Sequence, residues 1–141
     1  MSNPIFRFVL AIYVFLYRLT AGAFGGKVQG LSVLLLTTSG RKTGKLRTTP
    51  LGYFEQDGGY IIIASNNGAN SNPGWFYNLK SHPQAKIQIK NRQFEVTATI
   101  VGPEKRSQLW ERLVSISPAY GNYTKKTNRE IPLIFLQSAK S

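Results

Sequence analysis

Hydrophobic and polar positions divide the chain into a helical start and a series of short strands. Residues 5–19 are almost all apolar, and the only charges there are Arg7 and Arg18. Beyond residue 30, short apolar runs alternate with turns rich in Gly, Asn and Asp, a pattern typical of β-strands. The pattern predicts an N-terminal helix followed by a mainly antiparallel β domain.

The turns and helix signals set the predicted order of elements. Asp57-Gly58 lies between two apolar runs and is a strong β-hairpin signal. Pro83 ends a short helix predicted over 74–83, and Pro103 begins an amphipathic helix over 103–117. Six or so strands with few helices predict an α+β fold, mainly β, built as a small barrel. The predicted strands are 31–39, 46–55, 60–65, 85–89, 94–101 and 131–137. The predicted units are an N-terminal helix with a hinge, 1–26, and the barrel, 27–141.

The N-terminal helix has three interpretations. Ten uncharged residues separate Arg7 from Arg18, whereas a membrane span needs about 20 apolar residues. Arg7, Ala11, Val14 and Arg18 form one narrow stripe on a helical wheel. The helix can lie over the domain, or it can lie in a membrane interface where the arginines meet lipid headgroups. A basic start, an apolar core and a following "TAGA" also fit a cleaved signal.

Composition narrows the chemistry. Eighteen Lys and Arg against six Asp and Glu give a net charge of +12, which predicts a nucleic acid, an anionic membrane or an acidic ligand as partner. The chain has no cysteine and one histidine, His82, so disulfides, thiolate nucleophiles, zinc sites and a Ser-His-Asp triad are excluded. Any chemistry must use tyrosines, hydroxyls, cations, backbone amides or a cofactor, and we predict no metal site.

Four cations crowd the turn "TTSGRKTGKLRTTP". Arg41, Lys42, Lys45 and Arg47 lie within seven residues, and the nearest acidic residue is Glu55. Glycine amides, threonine hydroxyls and guanidinium groups together can hold a phosphate or carboxylate. The alternative is a solvated turn that keeps a strand edge soluble.

A second polar loop, "ASNNGANSNPGWFYNL", runs into the short predicted helix. Like the first turn, this loop is polar and contains glycine, and it adds amide side chains. Trp75, Phe76 and Tyr77 can form a wall for a flat ligand, or they can belong to the core.

These two stretches, "LLLTTSGRKTGKLRTTPL" and "DGGYIIIASNNGANSNPGWFYNLKSHP", resemble the deazaflavin-dependent nitroreductase family, which uses coenzyme F-420. The resemblance runs from about residue 31 to 136, with a similar apolar helix ahead of it. It implies a split β-barrel related to the flavin mononucleotide-binding barrels. It also implies hydride transfer from reduced F-420 to nitroimidazoles, quinones or activated alkenes.

By position, the resemblance assigns the phosphate and acidic tail of F-420 to Arg41, Lys42 and Arg47. Because this cofactor carries a phosphodiester and an oligoglutamate tail, the resemblance accounts for the crowded cations. Asn66 stands where a lysine is expected, and Gly74 replaces a larger residue. The remaining implied cofactor contacts are Thr48, Thr49, Pro50, Leu51, Ser65, Asn66, Asn67, Gly68, Asn72, Pro73, Trp75 and Asn78.

The implied catalytic residues are Tyr120, Tyr123 and Ser65. A tyrosine can donate a hydrogen bond to a nitro or carbonyl oxygen, or relay a proton, as hydride arrives. The alternative is that one or both tyrosines only pack against the barrel. Ser117 stands where some relatives carry a further tyrosine, so the substrate of a relative does not transfer to this chain.

Two other protein classes stay open at this point. A flavin mononucleotide-binding barrel would also need a phosphate site. A nucleic-acid-binding barrel would use the net charge with strand aromatics such as Tyr53, Tyr60 and Phe94. The clustering of cations beside a Gly/Asn loop favours a small bounded ligand, so we expect a small-molecule electron acceptor and no nucleic acid. We expect a cytoplasmic protein with peripheral contact to the inner face of an anionic membrane, and the oligomeric state stays open.

Overall fold

The computed structural model describes residues 4–19, 27–28, 30–123 and 129–138. Within these ranges the chain forms three α-helices, seven strands and two short 3-10 turns, Asn66–Gly68 and Pro118–Asn122. The α+β prediction is confirmed. The helices are α1 Pro4–Leu19, α2 Gly74–Ser81 and α3 Pro103–Ile116. The strands are β1 Lys27–Val28, β2 Leu31–Ser39, β3 Leu46–Gln56, β4 Gly59–Ile63, β5 Gln84–Ile89, β6 Arg92–Ile100 and β7 Leu133–Ser138.

Six of the described strands close into an antiparallel barrel. Their order is β2-β3-β4-β7-β6-β5, and β5 pairs back onto β2 through Leu36 opposite Ile87. The two-residue strand β1 pairs with the start of β2. Closure removes the exposed strand edges that an open sheet of this size would carry. The predicted small barrel is confirmed.

The continuous apolar run of β2 is explained by burial on both of its faces. Leu34 and Leu36 belong to the main core cluster inside the barrel, with Ile62 and Ile134. The alternate residues of β2 face the other way and pack against α1. Period-two alternation therefore disappears from the sequence, as it does in strands covered on both sides.

A second core cluster lies under α3. Leu109 and Leu113 of this helix are buried against Phe54, Ile61 and other residues of β3 and β4. This arrangement agrees with the amphipathic pattern of residues 103–117. The Asp57-Gly58 hairpin also forms, with φ values of 50° and 78° that suit a tight two-residue turn.

Helix α1 is held on the barrel by Tyr17. Only 1% of its surface is exposed, and it packs against Val33 and Leu35. Its hydroxyl donates to the Val33 carbonyl oxygen at 2.8 Å and accepts from the Lys90 amide at 3.0 Å. The helix therefore lies over the domain, the first of the three interpretations.

The outer face of α1 is open. Large apolar side chains there are exposed: Ile5, Phe8, Val9, Ile12 and Leu19. In the part of the chain that is described, no helix combines the length and hydrophobicity that crossing a membrane requires.

Three features differ from the predicted elements or lie beyond them. The strand β1 was not predicted, because two residues carry no periodic pattern. Strand ends shift by one or two residues, and β7 begins at Leu133 instead of 131. Most of the predicted hinge, residues 20–26, lies outside the described residues, and so does the stretch 124–128 of the loop before β7.

Candidate active site

A cavity of about 1280 Å³ lies between α1 and one side of the barrel. Ligand sites for single drug-sized molecules occupy roughly 300–1000 Å³, so this cavity is larger than the usual site for one such molecule. Its lining from α1 is Phe6, Arg7, Leu10, Ala11, Val14, Phe15 and Arg18. Its lining from β2, β3 and their turn is Thr38, Gly40, Arg41, Lys42, Thr43, Arg47, Thr48, Thr49, Pro50, Leu51 and Gly52. The remaining lining residues are Ile63, Ser65, Asn66, Asn72, Pro73, Gly74, Trp75, Asn78, Tyr120 and Tyr123.

The β2–β3 turn is closed by its own backbone. The Gly40 amide donates to the Lys45 carbonyl oxygen and the Gly44 amide to the Gly40 carbonyl oxygen, both at 2.8 Å. Gly44 has a φ of 73°, a conformation that glycine adopts without strain. The turn is thus a compact loop that carries exposed cations at the rim of the cavity.

Arg41 is fixed in place by Asn78. The buried Asn78 side chain accepts hydrogen bonds from the Arg41 amide at 3.1 Å and from Arg41 Nη1 at 3.3 Å. Its Nδ2 donates to Thr38 Oγ1 at 3.1 Å, and the Arg41 guanidinium lies 5.3 Å from the centre of the Tyr77 ring. Asn78 was predicted to contact the cofactor. Its described hydrogen bonds go to Arg41 and Thr38 and position the turn.

The other cations of the lining face the cavity without an acidic neighbour. None of the six acidic residues of the chain lies in the lining, which contains five cations. The two ion pairs found among the described residues, Lys105–Asp57 and Arg106–Glu130, both involve α3. The lining is therefore a concentrated positive surface suited to a polyanionic ligand.

Strand β3 borders the cavity along its middle. Its residues from Thr48 to Tyr53 are all half-buried, and the hydroxyls of Thr48 and Thr37 lie 2.8 Å apart. Gly52 has no side chain where Leu31 and Tyr120 approach. A Cβ atom there would lie 3.0 Å from Leu31 Cδ1 and 3.5 Å from the Tyr120 hydroxyl oxygen. The close approach is to Leu31, so a side chain at this position would press on Leu31, whereas the Tyr120 hydroxyl would lie at an ordinary contact distance.

The loop from Ser65 to Pro73 forms the next part of the wall. Asn66 has a φ of 49°, and its Nδ2 donates to the Ser71 carbonyl oxygen at 3.0 Å. Gly68 is buried, has a φ of 79° and lies outside the lining, so its role is to shape the turn. The Asn67 side chain is not described.

Arg129 clamps this loop and was not predicted from the sequence. Its guanidinium donates to the carbonyl oxygens of Ala64, Ser65 and Ala69 at 3.1, 2.8 and 2.8 Å. It also donates to Asn72 Oδ1 at 2.6 Å. These partners are 57 to 65 residues away along the chain, so no local pattern could indicate them. The planar guanidinium with its five N–H groups is the side chain that can serve four acceptors at once.

Aromatic side chains supply the remaining surfaces. Of the three neighbours Trp75, Phe76 and Tyr77, only Trp75 lines the cavity. Tyr77 packs edge-on against Phe76 and supports Arg41. Of the three aromatic residues considered as a wall for a flat ligand, Trp75 alone is in a position to contact one.

Tyr120 and Tyr123 are packed together at the cavity wall. Their rings are 5.2 Å apart in an edge-to-face arrangement, and both are buried. Burial, and to a smaller degree Tyr123, raises the pKa of Tyr120 to about 12. Its phenol is therefore a neutral hydrogen-bond donor at physiological pH.

The structure brings most of the predicted site residues together on this one cavity. Gly68 is the exception already described, and the Asn67 side chain lies outside the described part of the structure. The lining also contains Arg7 and Arg18, the two arginines of the narrow stripe on α1. The predicted site residues that line the cavity are Arg41, Lys42, Arg47, Thr48, Thr49, Pro50, Leu51, Ser65, Asn66, Asn72, Pro73, Trp75, Asn78, Tyr120 and Tyr123.

Comparisons with known proteins agree with this arrangement. Residues 10–138 match the family described as F420H(2)-dependent quinone reductase. F420H(2)-dependent quinone reductase Rv1261c of Mycobacterium tuberculosis is 38% identical over 133 residues, 91% of this chain and 89% of that protein. The solved structure of the F420-H2 dependent reductase FDR-A has a TM-score of 0.68 and 34% identity, covering 74% of this chain and 93% of its own. A solved chain described as a domain-swapped dimer has a TM-score of 0.71 and 29% identity, covering 96% of this chain and 100% of its own.

Proposed function

The chain belongs to the family of F420H(2)-dependent quinone reductases, and from this premise we propose that its electron acceptor is a quinone. It is an F-420-dependent oxidoreductase, and flavin mononucleotide is only an alternative cofactor. The nitroaromatic acceptors that the resemblance implied stay a hypothesis. The observation that carries the quinone proposal is the pairing of a cationic wall with an apolar wall and buried tyrosines in one cavity.

The residues present fit the chemistry of F-420. A phosphodiester and several carboxylates need cations and amide donors, and the lining supplies five cations with no opposing acid. Arg41, Lys42 and Arg47 would hold these anionic groups at the rim. Pro50, Leu51 and Trp75 offer flat or apolar surface where a ring system would lie.

Apolar side chains of α1 support a quinone as acceptor. Phe6, Leu10, Val14 and Phe15 line the side of the cavity opposite the barrel. A quinone is flat and apolar apart from two carbonyl oxygens, so it suits a space with an apolar wall and a few hydrogen-bond donors.

Tyr120 is suited to the carbonyl oxygen of the acceptor. When bound, reduced F-420 supplies a hydride, and a quinone becomes a hydroquinone on gaining that hydride and a proton. The neutral Tyr120 hydroxyl donates a hydrogen bond to the oxygen on which negative charge develops. Because its pKa is about 12, it stabilises this charge as a donor, and the net proton comes from solvent.

A steady-state assay of the full chain tests the proposal. We expect oxidation of reduced F-420 to depend on added menadione, with a higher kcat/KM than for a nitroimidazole at equal concentration. Tyr120→Phe should lower kcat by about 100-fold or more while leaving F-420 affinity within about twofold, since general acid or oxyanion donors contribute about this much. Equal or higher kcat/KM with the nitroimidazole would contradict the quinone proposal.

We also propose that α1 contacts the membrane from one side. Its outer face exposes Ile5, Phe8 and Ile12, each more than 40% accessible, on a chain of net charge +12. An interfacial helix of this kind inserts its apolar face among headgroups and is attracted by anionic lipid. Lipophilic quinones dissolve in the same layer, so contact would bring enzyme and acceptor together.

Liposome sedimentation tests the membrane contact. The full chain should pellet with vesicles containing phosphatidylglycerol and less with neutral vesicles. Phe8→Ser with Ile12→Ser should reduce pelleting, whereas Leu46→Ser, an exposed apolar residue of β3, should not. Pelleting that is the same for all three proteins would contradict the proposal.

A further inference from the structure

Helix α1 has three faces with different surroundings. Tyr13 and Tyr17 face the barrel core, and the exposed apolar residues face away from it. Between these faces runs the stripe that contains Arg7 and Arg18. Eleven residues of helix place the two arginines within about 20° of each other around the axis and about 16 Å apart along it. Together they form an extended basic edge.

This basic edge borders the cavity. Arg7 and Arg18 line the same space as Arg41, Lys42 and Arg47 of the barrel. Between them lie Ala11 and Val14, which also line the cavity. Both arginines are exposed, and neither takes part in the ion pairs found in the described ranges. Their charges are therefore available to a ligand in the cavity.

Five cations contributed by two separate elements, α1 and the barrel, suit a long anionic ligand better than a compact one. A single phosphate at the β2–β3 turn can use Arg41, Lys42 and Arg47. Two further arginines about 16 Å apart suit a chain of charges that extends away from that turn. Without a ligand, five like charges around one cavity repel each other, so a polyanion gains from entering it.

We propose that Arg7 and Arg18 of α1 form a second anion-binding subsite, which binds the carboxylates of the cofactor's oligoglutamate tail. The inference rests on the proposed use of F-420 at this cavity. The first helix thereby becomes part of the cofactor site, and its arginines serve a soluble polycarboxylate in place of lipid headgroups.

Fluorescence titrations with two forms of the cofactor test the subsite. The full chain and its Arg7→Gln and Arg18→Gln variants are titrated with F-420 that carries its glutamates and with the phosphodiester form that lacks them. We expect each substitution to weaken binding of the glutamate-bearing form by about three- to tenfold, a range suited to exposed charge pairs. Binding of the glutamate-free form should change by less than about twofold.

Control variants separate the subsite from a general charge effect. Arg92→Gln removes an exposed cation outside the cavity and should leave both affinities unchanged. Arg7→Lys and Arg18→Lys keep the charge and should recover most of the loss. Thermal unfolding of the Gln variants should stay at the wild-type midpoint, because neither arginine has an ion-pair partner in the described structure.

The outcomes distinguish the subsite from the cofactor assignment. If the wild-type chain binds neither form, the use of F-420 fails. If it binds both and the Gln variants bind the glutamate-bearing form equally well, the subsite fails and the cofactor assignment stands. Variants that lose binding to phosphatidylglycerol vesicles but keep full affinity for F-420 would assign the arginines to lipid and overturn the subsite.

Discussion

The barrel wall of the cavity is held by a dense set of hydrogen bonds, whereas the α1 wall rests on a small cluster around Tyr17. On the barrel side, Asn78 fixes Arg41, and Arg129 holds three acceptors of the Ser65–Pro73 loop and the Ala64 carbonyl before it. On the helix side, the hydroxyl of Tyr17 bonds to β2 and to the β5–β6 turn, and most of the apolar outer face is exposed.

This difference suggests a division of labour between the walls. Groups that are fixed before binding lose little entropy when a ligand arrives, so the barrel wall suits the phosphate and the ring system of the cofactor. Elements with few buried contacts open at low free-energy cost. The helix wall therefore suits groups that approach from outside the barrel, namely the acceptor and the oligoglutamate tail of the cofactor.

The largest expected effect comes from removing the guanidinium of Arg129, which holds the Ser65–Pro73 loop at the barrel wall. Arg129→Ala removes a donor from the Ala64 carbonyl and from the Asn72 side chain, and leaves the Ser65 carbonyl with the Gly68 amide. We expect the free energy of unfolding to fall by about 3–4 kcal/mol and F-420 affinity to fall with it. Denaturant unfolding and cofactor titration measure the two effects.

Two control variants show whether Arg129 acts through the several N–H donors of its guanidinium. Arg129→Lys keeps the charge but cannot serve four acceptors, so it should recover only part of the stability. Arg112→Ala removes an exposed α3 arginine outside the cavity and should change neither quantity by more than about 1 kcal/mol. Wild-type stability in Arg129→Ala would remove the distinction between the two walls.

Tyr120 gives the barrel side a pH dependence of its own. Its pKa rises from 10.0 unfolded to about 12 folded, because burial disfavours the phenolate. The associated stability is present in full below pH 10 and is lost as the pH rises through 12. At about 1.4 kcal/mol per unit, this loss is about 2–3 kcal/mol.

Unfolding measured between pH 9 and 12 with Tyr120→Phe as reference isolates this contribution. The difference in unfolding free energy between the wild type and the variant should shrink across that window. A difference that stays constant with pH would show that Tyr120 does not titrate with a raised pKa.

Single cations at the barrel rim should have intermediate effects. Lys42→Ala and Arg47→Ala should each weaken F-420 binding by about 1–3 kcal/mol, the range for charge-assisted hydrogen bonds. Lys45 belongs to the same turn but lies outside the lining, so Lys45→Ala is the matched control and should have little effect. If all three variants bind F-420 as tightly as the wild type does, the cations of this turn only face solvent and do not hold the cofactor.

The smallest expected effect lies at the helix wall. Tyr17→Phe removes the donor to the Val33 carbonyl and leaves the Lys90 amide without its acceptor, a loss of about 1–2 kcal/mol. Hydrogen exchange should show faster exchange in α1 and little change in the barrel strands. Phe8→Ala, on the exposed face of the same helix, should leave the exchange of α1 unchanged. Barrel strands that exchange faster in Tyr17→Phe would show that α1 is integral to the core.

The sequence predicted the features that depend on local pattern. The six main strands, the Asp57-Gly58 turn and the amphipathic α3 follow from periodicity and turn chemistry, and the structure confirms them with strand ends shifted by one or two residues. The cationic turn was also visible, because its residues are neighbours in the chain. The sequence predicted a small barrel, but it did not predict that β5 pairs with β2 to close it. This pairing joins residues that are far apart in the chain.

The features that were missed depend on contacts between distant residues. Arg129 lies in a polar loop, where nothing distinguishes it from a solvated arginine until the fold brings the Ser65–Pro73 loop against it. Tyr17 looked like any apolar helix residue, although its hydroxyl decides where α1 docks. The stripe of Arg7 and Arg18 was recognised, but a helical wheel does not say what the stripe faces.

Equilibrium titration of the full chain with F-420 and with flavin mononucleotide tests the central claim most directly. Flavin mononucleotide carries one phosphate and no glutamate tail, so it can satisfy only part of the five-cation lining. The account predicts that F-420 binds at least about tenfold more tightly at physiological ionic strength, a difference of about 1.4 kcal/mol. Equal affinity for the two cofactors, or tighter binding of flavin mononucleotide, would contradict it.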